Sequence, residues 1–159
     1  MRLRAGALAL LALAWLAGCA SAPPAGGAKG MWVKPVAGPA LVRMARTQMG
    51  RPYSSGGHAP ETGFDCSGLV WWCYQQFDSQ MPRRASEQFK VGDAVERRDM
   101  KPGDLVFFDN GVRPKPGHVG IYVGNGRFLH APSTGEQVRE DELQNNYWRR
   151  AFVGARRIE

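Results

Sequence analysis

The chain has 159 residues, 43% of them apolar and 10% aromatic, with a formal charge of +7. That length suits one domain with additional sequence around it, and the composition excludes a disordered chain. The basic excess is moderate, and no dense Lys/Arg run carries interleaved aromatics, so nucleic acid is not an expected partner.

The chain opens on a leader. Residues 1–4 are basic, residues 5–16 almost wholly apolar, and Ala17-Gly18 small, directly ahead of Cys19. The apolar run is shorter than the roughly 20 residues that span a bilayer, and its three-part pattern is that of a secretory signal over residues 1–18. Leu16-Ala17-Gly18-Cys19 resembles the bacterial lipoprotein processing box. That resemblance implies cleavage before Cys19 and lipidation of its sulfur. With Ala20 next rather than an aspartate, it also implies the periplasmic face of the outer membrane of a Gram-negative bacterium. Residues 19–38 are rich in Ala, Pro and Gly and read as a flexible tether. The folded domain is expected over residues 39–159.

Within the domain, residues 39–49 read as a helix, with Pro39 suited to its first position and Gly50 to the position past its end. Leu41, Met44, Ala45 and Met49 would form its apolar face. After a Gly/Ser-rich loop, Asp65 is placed to cap a second helix over residues 66–77. Its apolar residues cover most of the circumference, which marks a buried helix. A short third helix is expected near residues 86–91. From Asp104 onward the pattern turns to strands, at residues 105–108, 118–123, 127–131 and 152–158, with a turn at Gly124-Asn125-Gly126. Helices first and antiparallel strands after define an α+β domain.

The three cysteines are Cys19, Cys66 and Cys73. On one helix, Cys66 and Cys73 would stand about 10.5 Å apart along the axis, beyond the roughly 7 Å between Cα atoms that a disulfide spans. The thiols are therefore to be explained singly. Cys66 lies in the first turn of its helix, where the macrodipole and free amides favour a thiolate. Cys73 lies two turns further along and reads as packing.

His118 opens one strand and His130 closes its hairpin partner. If Val123 pairs with Arg127, Gly120 pairs with His130, and the two histidines share a face on a diagonal of about 7–8 Å. A plain two-residue loop would put them on opposite faces, so the arrangement requires a three-residue loop or a bulge. On a shared face, His118 is placed to take the Cys66 proton and His130 to hold the other ring nitrogen of His118. That is the nucleophile, base and orienter arrangement of covalent catalysis. The same three side chains are zinc-ligand types, but no Cys-x-x-Cys or His-Glu-x-x-His spacing accompanies them, so no metal and no organic cofactor is expected.

Six segments in order carry a resemblance to a family. They are Gly50-Arg51-Pro52-Tyr53 with Gly56-Gly57; Phe64-Asp65-Cys66-Ser67-Gly68-Leu69-Val70; Pro82-Arg83 with Gln88; Lys101-Pro102-Gly103-Asp104-Leu105-Val106-Phe107-Phe108; His118-Val119-Gly120-Ile121-Tyr122-Val123-Gly124; and Phe128-Leu129-His130-Ala131. The chain resembles the NlpC-type cell-wall cysteine endopeptidases, a bacterial branch of the papain-like superfamily. The resemblance implies Cys66 as nucleophile, His118 as base, His130 as the third polar residue and Tyr53 as a contributor to the oxyanion site. It also implies peptidoglycan stem peptides as substrate, cut between D-γ-glutamate and a diacid such as diaminopimelate. A monomer is expected, held to a membrane through the lipid on Cys19.

Two departures bear on the substrate. Ser55 stands where the family often has an aromatic, and residues 112–117 lengthen the loop before His118. The triad would equally serve a cysteine amidase or an acyl transferase on another amide or ester, and the fold would serve a wall-binding lipoprotein without turnover. His58 is expected to be exposed, Trp71 and Trp72 to belong to the core, and Arg149, Arg150, Arg156 and Arg157 to form a solvated basic face.

Overall fold

A computed structural model describes residues 33–159. The expected leader, Cys19 and the expected tether as far as residue 32 lie outside the described residues.

Helix α1 (Gly38–Arg46) carries Pro39 in its first turn and buries Leu41, Val42 and Ala45. It stops three residues short of the expected end. From Thr47 on, the chain winds more tightly, with the Gln48 amide donating to Ala45 and the Met49 amide to Arg46. Met49 is accordingly exposed rather than on the buried face. A two-residue hairpin, β1 (His58–Ala59) and β2 (Gly63–Phe64), leads into helix α2 (Cys66–Gln75). Asp65 caps α2 as expected, its Oδ1 accepting the Gly68 amide at 2.6 Å; such a cap is worth about 1 kcal/mol. The helix ends before Phe77, at a turn where Asp78 takes a φ of 52°. The third helix, α3 (Ala85–Gln88), is a single turn.

The remaining elements are β3 (Asp93–Val95), β4 (Leu105–Phe108), β5 (His118–Gly124), β6 (Arg127–His130), β7 (Arg139–Glu142), α4 (Asn146–Ala151) and β8 (Phe152–Arg157). The strands from β3 to β8 form one antiparallel sheet in the order β3-β8-β4-β5-β6-β7. The α+β class holds. Helix α4, however, lies among the strands, so the order is not simply helices and then strands.

The sheet is covered on both faces. Leu105, Phe107, Val119, Ile121 and Leu129 pack against α1 and α2 through Leu41, Leu69, Val70 and Tyr74. Val106, Phe108 and Phe128 pack on the other face with Trp148 of α4. This double cover is why β4 reads as an unbroken apolar run, since both faces of a central strand are then dry.

The β5–β6 hairpin sets the register of the histidines. Ile121 pairs with Leu129 and Tyr122 with Phe128, but Gly124 pairs with Arg127, so Val123 is an extra residue in β5. The turn itself is the two residues Asn125 and Gly126, at φ of 52° and 71°, the positive values that a tight hairpin turn needs. The loop is therefore two residues and the bulge restores the phase, the second of the two arrangements that the sequence allowed.

The basic tail differs from expectation. Arg157 pairs through both guanidinium arms with the buried Asp104 at 2.8 Å, and Arg156 lies over the Phe89 ring. Only Arg149 and Arg150 of the four are exposed.

Candidate active site

Three elements bring the site together: the start of α2, the start of β5 and the end of β6. Gly68 lets the first of these approach the hairpin loop. A methyl group there would overlap the Gly57 carbonyl oxygen and crowd both Asp65 and Arg83. Arg83 grips Asp65 with two arms at 2.8 and 2.7 Å, and also donates to Ser67 Oγ and the Gly57 carbonyl. Beneath it the buried Gln88 donates to the carbonyls of Ser67 and Pro82. The first turn of α2, with Cys66 on it, is thus fixed from two sides.

The Cys66 sulfur lies 3.9 Å from the Gly117 carbonyl oxygen and within hydrogen-bonding reach of the Val119 amide. Those residues flank His118, so α2 delivers the thiol to the start of β5. His118 and His130 are buried and share a face, as their register requires. His118 Nε2 stands 2.9 Å from His130 Nδ1. His130 Nε2 stands 3.1 Å from Asp141 Oδ2. Sequence reading found the first two of these side chains and missed Asp141.

Asp141 is held in turn. Arg139 Nε donates to its Oδ1 at 2.9 Å and Trp148 Nε1 to its Oδ2 at 3.0 Å. The hydrogen bond from His130, outweighing the cost of partial burial, keeps its carboxyl well below the usual range, with Arg139 and Trp148 adding to the effect. Trp148 also stacks on His118, with ring centroids 5.1 Å apart.

These contacts fix the proton positions. An ionised carboxylate only accepts, so His130 Nε2 carries the hydrogen. Burial lowers the His130 pKa, so its ring is neutral and its Nδ1 accepts. His118 Nε2 must then donate, which leaves His118 Nδ1 as the bare, basic nitrogen. Each ring is locked into one tautomer by the group behind it.

The thiol itself departs from expectation. Burial pushes Cys66 up to about 11, against the lowering effect of the Val119 and Ser67 amides, and the Asp65 charge adds to the rise. Burial likewise takes His118 down to about 3, with His130 adding to the shift. Desolvation outweighs the helix-start field, and the Cys66 thiol and the His118 imidazole both rest neutral.

Tyr53 is half-buried on the chain entering the site, and its amide donates to the Glu136 carbonyl. Burial raises its phenol pKa, and the nearby Cys66 and Asp65 charges add to the rise. Cys73 is fully buried and, like Cys66, free. His58 is exposed, its ring edge-on to Trp71.

A groove of about 640 Å³ is lined by Asp65 and Ser67, which flank Cys66 in sequence, and by Val112, Arg113, Pro114 and Gly117. The lengthened loop before His118 therefore borders the groove. A second cavity, of about 500 Å³, lies at the far end of α2 beside Tyr74 and away from the thiol.

A cysteine at a helix start, set against a histidine relay on an antiparallel sheet, defines a papain-like domain. The chain belongs to the NlpC/P60 family, whose model matches residues 50–157. It is 47% identical over 114 residues to murein DD-endopeptidase MepH of Escherichia coli, covering 70% of this chain and 42% of that protein. It is 38% identical to the probable endopeptidase NlpC of Escherichia coli, over 95% of this chain and 97% of that protein. Among solved structures, an NlpC/P60 family protein from Bacillus cereus superposes with a TM-score of 0.70 at 30% identity, covering 79% of this chain and 41% of that one. The chain spans less than half the length of several relatives it matches.

Proposed function

We propose that the chain is a cysteine endopeptidase that hydrolyses the peptide stems of peptidoglycan. The observation that carries this reading is the placement of the Cys66 sulfur against the backbone on either side of His118, with His118, His130 and Asp141 hydrogen-bonded in line, next to a groove that Asp65, Ser67 and Gly117 line. In this reading Cys66 is the nucleophile, His118 the base, His130 its orienter and Tyr53 a donor to the oxyanion.

The chemistry follows from the tautomers. As Sγ attacks the scissile carbonyl, His118 Nδ1 takes its proton, so thiolate and imidazolium arise during attack rather than before it. The oxyanion then collapses, the C–N bond breaks, and His118 gives its proton to the departing amine. A water, deprotonated by His118, opens the thioester and releases the new carboxylate. Asp141 steadies the positive charge that His118 and His130 share in the transition state. Donors aimed at the oxyanion are worth about 2.7–4 kcal/mol each.

The bond proposed is that between D-γ-glutamate and diaminopimelate. Relatives support wall peptides as the substrate class; their names span DD-endopeptidase, DL-endopeptidase and gamma-DL-glutamyl hydrolase. The leader-like segment and Cys19 support lipid anchoring at the periplasmic face of the outer membrane, and the proposed state is a monomer. Such an anchor would raise the local concentration of the domain near the wall.

The test is digestion of diaminopimelate-type peptidoglycan by the chain and by its Cys66→Ala variant, with fragments read by mass spectrometry. New ends at the glutamate–diaminopimelate bond, lost in the variant, are expected. Intact stems in both digests would refute the substrate.

A further inference from the structure

The groove beside Cys66 has an uneven charge. Asp65 is the acid among its lining residues, and Arg83 already pairs with it at 2.7 Å. Arg84 and Arg113 line the same groove, both are exposed, and among the described residues neither has an ion-pair partner. Lys115, the other cation of the lengthened loop, is taken up by Asp109.

The loop that carries Arg113 is braced. Asp109 Oδ1 accepts the Gly111 amide at 3.0 Å, and Asn110 Oδ1 accepts the Val112 amide at 3.2 Å. Pro116 is buried, and a side chain at Gly117 would strike Asn110 and Val112. Arg113 is thus held at the groove, and Arg84, at the start of α3, lines it as well. Two guanidinium groups without an ion-pair partner that line one cleft, Arg113 offset only by the nearby charge of Asp109, focus a positive field into it. Their planar forks match a carboxylate better than an ammonium would.

We infer that Arg84 and Arg113 form a carboxylate-reading subsite, so that the groove selects an acidic peptide in which the residue giving the scissile carbonyl carries a free rather than an amidated carboxylate. This rests on the peptidase reading for the position of the scissile bond. The D-γ-glutamyl residue has that chemistry: its α-carboxylate branches from the same residue, two methylene groups away from the γ-carbonyl that Cys66 attacks.

The experiment uses a pair of synthetic stem peptides that differ only at this group, one the free α-carboxylate and the other its α-amide. The chain is expected to cut the acid with a kcat/KM higher by about fivefold for each guanidinium that engages it, mainly through KM. The preference should shrink in high salt. In the Arg84→Gln/Arg113→Gln double variant the ratio between acid and amide should collapse towards one. Equal cleavage of both peptides by the parent chain, or a preference that survives in the double variant, would overturn the inference and leave the peptidase reading standing. The Cys66→Ala variant separates the two by calorimetry. If neither peptide is cut but this variant still binds acid over amide, the inference stands and the peptidase reading falls. If neither is cut or preferentially bound, both fall.

Discussion

His130 Nε2 meets Asp141 Oδ2 at 3.1 Å, and this contact sets the proton positions of the whole site. Because Asp141 is also held by Arg139 and Trp148, it does not turn to follow the ring; the ring is fixed to it. Asp141 acts through His130 and is a positioning residue. Asp141→Asn removes the charge and lets the tautomers of both rings invert. We expect kcat to fall by about 10²- to 10⁴-fold with KM little changed, the range for losing an orienting carboxylate behind a histidine base. Nitrogen-15 NMR of the histidine rings checks the cause: His130 should carry its hydrogen on Nε2 in the parent chain and exchange between nitrogens in the variant.

Acid should destabilise the fold well before the ordinary carboxylate range. His118 is neutral when folded, with a pKa near 3, but titrates at its ordinary 6.5 when unfolded. Below that value the unfolded chain binds the extra proton, so stability falls as pH falls between the two. From pH 7 to pH 5 the loss from this residue is about 2 kcal/mol. Asp141 has the same sign lower down, because its folded pKa lies below its ordinary 3.8. Denaturant unfolding at both pH values is the check, and His118→Asn should flatten the slope.

The neutral resting pair has a kinetic signature. With the thiol at about 11, alkylation of Cys66 by iodoacetamide should rise about tenfold per pH unit from pH 7 to near pH 10. A preformed ion pair would instead give a plateau reaching into acid. For the same reason kcat/KM should show no loss as pH passes downward through 6.5 while the chain stays folded. Cys73 should stay unlabelled, since burial raises its thiol strongly and excludes the reagent.

Gly68 tests the packing that presents Cys66. Its place against the Gly57 carbonyl leaves no room for a methyl group, so Gly68→Ala must shift α2 or the loop. A loss of about 1–3 kcal/mol is expected from such overpacking. The Asp65–Arg83 pair at 2.7 Å would loosen with it. Thermal unfolding measures the first effect, and a fall in activity larger than that of a Gly50→Ala control the second.

Local pattern carried much of this site. The capping Asp65, the α2 start, and the paired β5 and β6 strands all follow from spacing, and the shared face of His118 and His130 follows from strand alternation. Asp141 was hidden for a physical reason. Its strand, Arg139–Glu142, is an edge strand with charged residues throughout, and edge strands lack the apolar alternation that marks a strand in sequence. Helix α4, with Trp148, spans six residues, too few to show a helical period. The pairing of Arg157 with Asp104 across 53 positions is tertiary, and no local signal announces it. The direction of the Cys66 shift was misjudged because a helix start is visible in sequence whereas the depth of burial around it is not.

The central claim is that Cys66 carries the acyl group of the substrate during turnover. Acid quenching of the chain with a diaminopimelate stem peptide, followed by intact-mass and peptide-mapping spectrometry, tests it most directly. The account predicts a thioester of the glutamyl fragment on the peptide holding Cys66, absent from the one holding Cys73 and absent in Cys66→Ala. Cleavage that proceeds in Cys66→Ala, or an acyl group found on any other residue, would contradict it.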